Sequence, residues 1–90
     1  MPYYVYVLQC QDGSFYTGYT KNVDSRVRLH KNGQGARYTR IHKLKRLVYV
    51  EEFATRAGAM KRERGIKRLK HEQKKRLARA YVRPKQKAAR

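Results

Sequence analysis

The chain has 90 residues, a formal net charge of +18 and 40% apolar residues, which suffices for one small domain with a thin core and excludes a second domain. No apolar run is long enough to span a bilayer, and the single cysteine excludes an internal disulfide. No Cys and His cluster has zinc-ligand spacing, and because no leader resembles a signal peptide we expect a cytoplasmic protein.

Positive charge is concentrated in the second part of the chain. Residues 1–54 contain nine Lys or Arg against four acids, whereas residues 55–90 contain fifteen against two. Such a density repels itself, and a polyanion that releases its counterions on binding would offset the repulsion. We therefore expect a nucleic-acid partner. No membrane partner is expected, because the C-terminal stretch lacks the Trp, Phe and Leu face of an interfacial helix, which leaves only attachment by charge.

The chain begins with two Tyr-rich stretches, Tyr3–Leu8 and Phe15–Tyr19, on either side of the turn signal Asp12-Gly13. Aromatic and β-branched residues around Asp-Gly predict a β-hairpin. Strand propensity alone also supplies tyrosines, so the hairpin by itself does not indicate a function.

Tyr6 and Tyr16 lie on these two predicted strands. A strict two-residue turn would place them on opposite faces of the sheet, because side chains alternate along a strand. We expect instead a connection of three or five residues, or a bulge between Cys10 and Ser14, that brings both phenols to one face. The alternative interpretation is two strand tyrosines with packed rings and hydroxyls in solvent.

A short helix is predicted over residues 23–31, with Asn22 as its N-cap, Asp24 at its positive end and Gly33 as its stop. The next segment, 33–40, combines glycines with Arg and Tyr residues and predicts a basic loop. Its polar residues are expected to stay solvated.

Leu47–Val50 is predicted as a third strand, and its apolar faces favour a strand covered on two sides over an exposed edge. Thr55 is predicted to cap a helix that runs to about residue 70, and a further helix is predicted from Glu72 to Val82, ended by Pro84. The expected packing side chains of these two helices are Ala59, Met60, Ile66 and Leu69, on the same face as Glu63, and then Leu77, Ala78, Ala80 and Tyr81.

These elements predict one α/β (α+β) domain over residues 1–83, in which a three-stranded antiparallel sheet is flanked by helices. Residues 84–90 are predicted to form a basic, disordered tail.

Several short motifs match one known pattern in order along the chain. Tyr4-Val5-Tyr6 and Tyr16-Thr17-Gly18, followed by Arg26, His30 and Glu63, resemble the GIY-YIG nuclease superfamily, whose members hydrolyse phosphodiester bonds with a metal ion. The resemblance covers about residues 3–75. Three runs are most similar to the small single-domain bacterial members that are labelled uncharacterised or endonuclease-like: Asp12-Gly13-Ser14, Tyr16-Thr17-Gly18-Tyr19-Thr20 and Gly35-Ala36-Arg37-Tyr38-Thr39.

The resemblance implies a catalytic set with named roles. Tyr16 activates the water, and Tyr6 positions that water or the phosphate. Arg26 stabilises the transition state, His30 relays a proton, and Glu63 holds Mg²⁺ or Mn²⁺. Phosphodiester hydrolysis needs these group types, since it requires an activated water, cations facing the charge that builds on phosphorus and help for the leaving oxygen.

The helix residues of this set also have simpler interpretations. Arg26 and His30 lie four residues apart, so both side chains project from one helix face, which with Lys31 would also suit a solvated basic surface. Glu63 is a lone carboxylate among cations, and either an ion pair with Lys67 or a hard divalent cation would compensate it.

Nucleic-acid contacts are expected from residues around this set, with DNA favoured over RNA. Gly18 would let the backbone approach the substrate closely, or would instead relieve crowding within the strand. The other expected contacts are cationic or aromatic: Lys21, Arg37, Tyr38, Arg40 and Lys67.

Three functional hypotheses follow. The favoured one is a metal-dependent endonuclease of DNA, or of RNA, in DNA repair or processing. The alternative is a non-catalytic nucleic-acid-binding module, since Tyr19 and Lys75 stand where many members of the resembling family carry Lys and Asn. The third is an accessory protein that binds ribosomal or repair assemblies through its cationic helices.

Overall fold

Seven elements follow one another in the computed structural model, which describes residues 2–81. In chain order they are β1 (Tyr3–Cys10), β2 (Phe15–Thr20), α1 (Val23–Lys31), α2 (Arg37–His42), β3 (Leu44–Phe53), α3 (Arg56–Lys67) and α4 (His71–Ala80). The strands form one antiparallel sheet in the order β2-β1-β3, so the predicted fold is confirmed. The basic tail predicted for 84–90 and the helix end at Pro84 lie outside the described residues.

The register of the hairpin brings both phenols to one face. Tyr6 lies opposite Gly18, Leu8 opposite Tyr16, and Gln9 opposite Phe15, which leaves a five-residue connection, 10–14. Residues opposite each other share a face, as do residues two apart. The predicted longer connection is therefore confirmed.

The other face of the hairpin carries the hydrophobic core. Val5 and Val7 of β1 pack with Ala59 and Ile66 of α3, all of them buried. Helices α3 and α4 cover this face, and partly buried side chains complete the cluster: Tyr3, Tyr19, Tyr49, Phe53, Leu69, Leu77 and Ala78. Ala80 is exposed, so its predicted packing role was wrong.

Strand β3 is longer than predicted and lies at an edge of the sheet. Its faces are covered as expected, by α1 on one side and by α3 and α4 on the other. Within residues 2–81, however, its only neighbouring strand is β1, so the predicted position away from an edge was wrong. Apolar residues on both faces of a strand indicate that other elements pack on those faces. They do not indicate how many strands lie beside it in the sheet. The register shifts between Val7 and Leu8, whose partners are Tyr49 and Leu47, so Val48 is the extra residue of a β-bulge.

Local capping signals predicted two helices well. The Asn22 side chain accepts a hydrogen bond from the Ser25 amide at 2.9 Å, and α1 has the predicted bounds. Thr55 caps α3 in the same way, through the Gly58 amide at 3.1 Å, although α3 ends at Lys67 rather than near residue 70. Among the described residues no helix combines the length and apolar character needed to cross a membrane.

The predicted basic loop was wrong, because residues 37–42 form α2. The glycines that suggested a loop lie before the helix, where Gly33 takes a positive φ of 74°. Thr39 is buried, and its hydroxyl donates to the Ala36 carbonyl at 3.0 Å. The burial of Thr39 and this hydrogen bond thus stabilise a short helix whose composition is polar.

Candidate active site

A cavity of about 710 Å³ lies along the free edge of β2. Tyr16 and Gly18 face one side of the sheet and Tyr19 faces the other, yet all three line the cavity, so it extends around the edge strand. The remaining lining residues come from β1, the β2–α1 turn, α1 and the start and middle of α3: Tyr3, Tyr6, Thr20, Lys21, Asn22, Ser25, Arg26, Leu29, Arg56 and Glu63.

Four of the five predicted catalytic residues share this cavity: Tyr6, Tyr16, Arg26 and Glu63. His30 lies behind Tyr6, with its Nε2 atom 3.1 Å from the Tyr6 hydroxyl. Of the predicted nucleic-acid contacts, Gly18 and Lys21 line the cavity. Within the described part of the chain the other four are not in the lining: Arg37, Tyr38, Arg40 and Lys67.

Tyr6 is the most deeply placed group of the cavity. It is 1% exposed, and its ring centroid lies 6.4 Å from that of Tyr16. Burial, and after it the neighbouring Tyr16, raises the pKa of Tyr6 well above its ordinary value, while the charge of Arg26 acts in the opposite direction. The phenolate is thus disfavoured at Tyr6, although the guanidinium of Arg26 lies nearby. The hydroxyl stays protonated at neutral pH.

His30 is a buried, neutral hydrogen-bonding group. Only 3% of it is exposed, so the solvated surface that was one interpretation of this helix face does not apply to it. Its Nδ1 atom lies 2.6 Å from the Thr39 hydroxyl. Burial, and then the charge of Arg26, lowers the pKa of His30. Arg26 itself is exposed and lines the cavity, where its guanidinium can reach a phosphate.

Gly18 is required by crowding within the sheet. A Cβ atom at this position would lie 2.6 Å from the Tyr6 hydroxyl oxygen and 2.8 Å from Cζ. Of the two interpretations of Gly18, the structure therefore supports relief of strand crowding. The glycine leaves room for the Tyr6 ring to lie across the neighbouring strand.

Glu63 has features of both interpretations given to it. Its carboxylate pairs with the Lys67 ammonium at 3.3 Å, and the side chain, 16% exposed, also lines the cavity. Residues 2–81 contain no group of three or more His, Cys, Asp or Glu side chains able to hold a metal. Magnesium is commonly bound through one or two carboxylates together with water and substrate phosphates. One carboxylate in an open cavity fits that mode, so Glu63 would be the protein ligand.

Seven lining residues were missed as site residues by the sequence analysis, and three of them make contacts within the cavity: Tyr3, Tyr19 and Arg56. Arg56 donates from Nε to the Tyr19 hydroxyl at 3.1 Å, and the Lys21 ammonium lies 5.5 Å from the centre of the Tyr3 ring. Arg56 could have been found, because it lies seven residues before Glu63 and two helical turns bring both to one face. Tyr3 and Tyr19 gave no comparable signal.

An aromatic series connects the cavity to α2. The Tyr16 ring lies 5.9 Å from the Tyr38 ring, which stacks on His42 at 4.2 Å. Arg37 and Arg40 of the same helix are exposed. The basic surface expected from this segment is therefore present, beside the cavity rather than within it.

The arrangement matches a known family. The model of the GIY-YIG catalytic domain matches residues 2–76, and the chain belongs to this family. It is similar to UPF0213 proteins of Staphylococcus saprophyticus, with 47% identity over 75 residues (83% of this chain, 92% of the relative), and of Staphylococcus epidermidis, with 49% over 72 residues (80% and 88%).

Two solved structures are also similar. The UPF0213 protein of Bacillus halodurans is 43% identical, with a TM-score of 0.58 over 93% of this chain and 89% of that one. A protein of E. faecalis is 38% identical, with a TM-score of 0.58 over 93% and 94%. The resemblance to the GIY-YIG superfamily and to its small bacterial members is confirmed.

Gly18→Ala should destabilise the protein by about 1–3 kcal/mol, the usual cost of overpacking a well-packed interior. The added methyl group would overlap the Tyr6 hydroxyl and ring, which are buried. Urea unfolding measures the change. The control is Gly65→Ala on α3, where a Cβ would meet nothing within 4 Å, and a gain of about 0.5–1 kcal/mol is expected. A Gly18→Ala variant as stable as the wild type would contradict the packing argument.

His30 should make stability depend on pH. Because the pKa of His30 is lowered by folding, its contribution is present above its ordinary pKa of about 6.5 and is lost as the pH falls through the folded value. The urea midpoint should therefore fall between pH 7 and pH 5, and His30→Gln should reduce that slope. An identical slope in both proteins would show that His30 does not titrate differently in the folded state.

Proposed function

We propose that this protein is a metal-dependent endonuclease that hydrolyses phosphodiester bonds of DNA in preference to RNA, in DNA repair or processing in the cytoplasm. The supporting observation is that two phenols, a guanidinium and a carboxylate from four separate elements meet in one cavity, in a member of a nuclease superfamily. These are the group types that phosphodiester hydrolysis requires.

The two phenols have different environments, which supports different roles. Tyr6 is held protonated by burial, so it is a hydrogen-bonding group rather than a base. Tyr16 is half-buried and lies in the cavity, which suits the group that contacts the attacking water. The assignment of water activation to Tyr16 and of positioning to Tyr6 is consistent with this difference.

The charged groups suit a dianionic transition state. Lys21, Arg26 and Arg56 give the cavity three cations against the carboxylate of Glu63. Arg26 can donate two hydrogen bonds to phosphate oxygens. Glu63 would hold a Mg²⁺ or Mn²⁺ ion, which would supply Lewis-acid chemistry to the site. The excess of positive charge draws the substrate in and stabilises the charge that develops during the reaction.

The surface of α2 extends this site along the bound strand. Arg37 and Arg40 are exposed, and Tyr38 contacts the cavity residue Tyr16. Cations beside an aromatic ring are the usual combination on surfaces that bind phosphate and nucleobase together. Lys67 contributes less directly, because its ammonium pairs with Glu63.

Glu63→Gln should lower the rate of metal-dependent cleavage by about two orders of magnitude or more, the scale of removing one electrostatic group from a hydrolytic site. The assay is cleavage of labelled single-stranded, duplex and branched DNA, and of matching RNA, with Mg²⁺ or Mn²⁺ and with chelator. The matched control is Glu72→Gln, whose carboxylate lies on α4 and is 76% exposed. Cleavage that persists in Glu63→Gln would point to a contaminant or to a different mechanism.

One observation favours the second candidate, a nucleic-acid-binding module without catalysis. The ion pair between Glu63 and Lys67 already compensates the carboxylate that would hold the metal. Salt-dependent binding of DNA without metal-dependent cleavage by the wild type would select this function.

Removing Arg37 and Arg40 together, as the double substitution to Gln, should weaken binding of nucleic acid and reduce the slope of log K against log salt by about 1 for each lost phosphate contact. Fluorescence anisotropy at several salt concentrations gives both quantities. Arg79→Gln is the comparison, since α4 packs on the face of the sheet away from α2. Equal slopes in the wild type and the double variant would exclude α2 from the interface.

A further inference from the structure

The cavity residue Tyr6 is the first member of a buried hydrogen-bonded chain that ends in α2. The chain runs from the Tyr6 hydroxyl to His30 Nε2 at 3.1 Å, from His30 Nδ1 to Thr39 Oγ1 at 2.6 Å, and from Thr39 Oγ1 to the Ala36 carbonyl at 3.0 Å. Tyr6, His30 and Thr39 are each no more than 3% exposed. Water therefore contributes little to this chain behind Tyr6, and the direction of each bond is set by its neighbours.

The donors and acceptors give the chain a direction. A carbonyl can only accept, so the single hydrogen of the Thr39 hydroxyl goes to Ala36. Thr39 Oγ1 must then accept from His30 Nδ1, which carries the hydrogen of the neutral imidazole. Nε2 then carries no hydrogen and accepts a hydrogen bond from the Tyr6 hydroxyl. Within the described residues the hydrogens of Thr39, His30 and Tyr6 then each have an acceptor, and only the Ala36 amide, 3.4 Å from Nδ1, has none.

The reverse arrangement satisfies the Ala36 amide but leaves a more deeply buried hydrogen, that of Tyr6, without an acceptor in the described part of the chain. In it Thr39 would donate to Nδ1, together with the Ala36 amide at the longer distance of 3.4 Å, and Nε2 would donate to Tyr6. The Tyr6 hydrogen would then have no acceptor among residues 2–81. Close packing also fixes the ring, because a Cβ at Gly35 would overlap His30 Nδ1 and its neighbouring ring atoms.

We propose that Thr39 is a positioning residue that holds His30 in the Nδ1-protonated tautomer and so turns the lone pairs of the Tyr6 oxygen, rather than its hydrogen, toward the cavity. An oxygen that only accepts can hold the attacking water but not a phosphate oxygen, which is itself an acceptor. Of the two roles open to Tyr6, it therefore positions the water. This role rests on the proposed nuclease function, whereas the tautomer does not.

The tautomer can be measured directly on the full ¹⁵N-labelled chain, through long-range ¹H–¹⁵N correlations of the His30 ring at pH 7.5. The wild type should show the Nδ1-protonated pattern. Thr39→Val keeps the shape of the side chain but removes the acceptor, and it should shift His30 toward the Nε2-protonated pattern. Thr39→Ser keeps the hydroxyl and should restore the wild-type pattern. An Nε2-protonated ring in the wild type, or a tautomer unchanged in Thr39→Val, would overturn the proposal.

Kinetics then test the role of Tyr6 in the reaction. Thr39→Val should lower kcat on the order of 10- to 100-fold, as removal of a group that orients a functional histidine commonly does, with little change in KM. Thr39→Ser should recover most of the rate. A loss that appears only in KM, or that Ser does not recover although it restores the tautomer, would refute the role assigned to Tyr6. A wild type that cleaves nothing but shows the expected tautomers would refute the nuclease function and leave the positioning of His30 supported.

Discussion

The contact between Tyr6 and His30 is the constraint on which the cavity depends. It joins the central strand β1 to α1 in a region from which water is largely excluded, and the hydrogen bond satisfies two buried polar groups that would otherwise be costly. Two glycines make the contact sterically possible, since Gly18 leaves space for the phenol ring and Gly35 leaves space for the imidazole. Tyr16 packs against both members of the pair, with its ring centroid 6.4 Å from that of Tyr6 and 5.2 Å from that of His30.

Acidic side chains are scarce, and most of those described serve structural contacts. Asp12 accepts hydrogen bonds from Ser14 and pairs with His42, which fixes the hairpin turn beside α2. Glu51 accepts hydrogen bonds from the Tyr49 hydroxyl and from Arg62 Nε, and the bond from Arg62 links α3 to β3. Such exposed or half-exposed pairs contribute little to stability individually. Their effect is to hold selected elements in place while most cations remain available to a polyanion, as a net charge of +18 requires.

Features with local causes could be predicted from the sequence, and features with tertiary causes could not. The caps Asn22 and Thr55 act on amides three residues away, so the starts of α1 and α3 were predictable. The short helix α2 was not, because Thr39 depends on a buried contact with His30, nine residues earlier. The motif spacing identified four predicted catalytic residues that line the cavity, Tyr6, Tyr16, Arg26 and Glu63, but no sequence pattern showed that a histidine on a basic helix would be buried. Arg56 could have been predicted in the same way, because it shares a helix face with Glu63, which the motif had already identified.

The burial of the hydrogen-bonded series that begins at Tyr6 explains why Tyr6 and Tyr16 can have different roles. Burial disfavours the charged form of each group, so Tyr6 keeps its proton and His30 does not gain a second one. Tyr16, half-buried in the cavity, has access to solvent and to the exposed guanidinium of Arg26. If the cavity hydrolyses phosphodiesters, the buried groups Tyr6 and His30 orient hydrogen bonds, and the more exposed groups Tyr16 and Arg26 interact with charge. Glu63 also lines the cavity, and the ammonium of Lys67 compensates its charge.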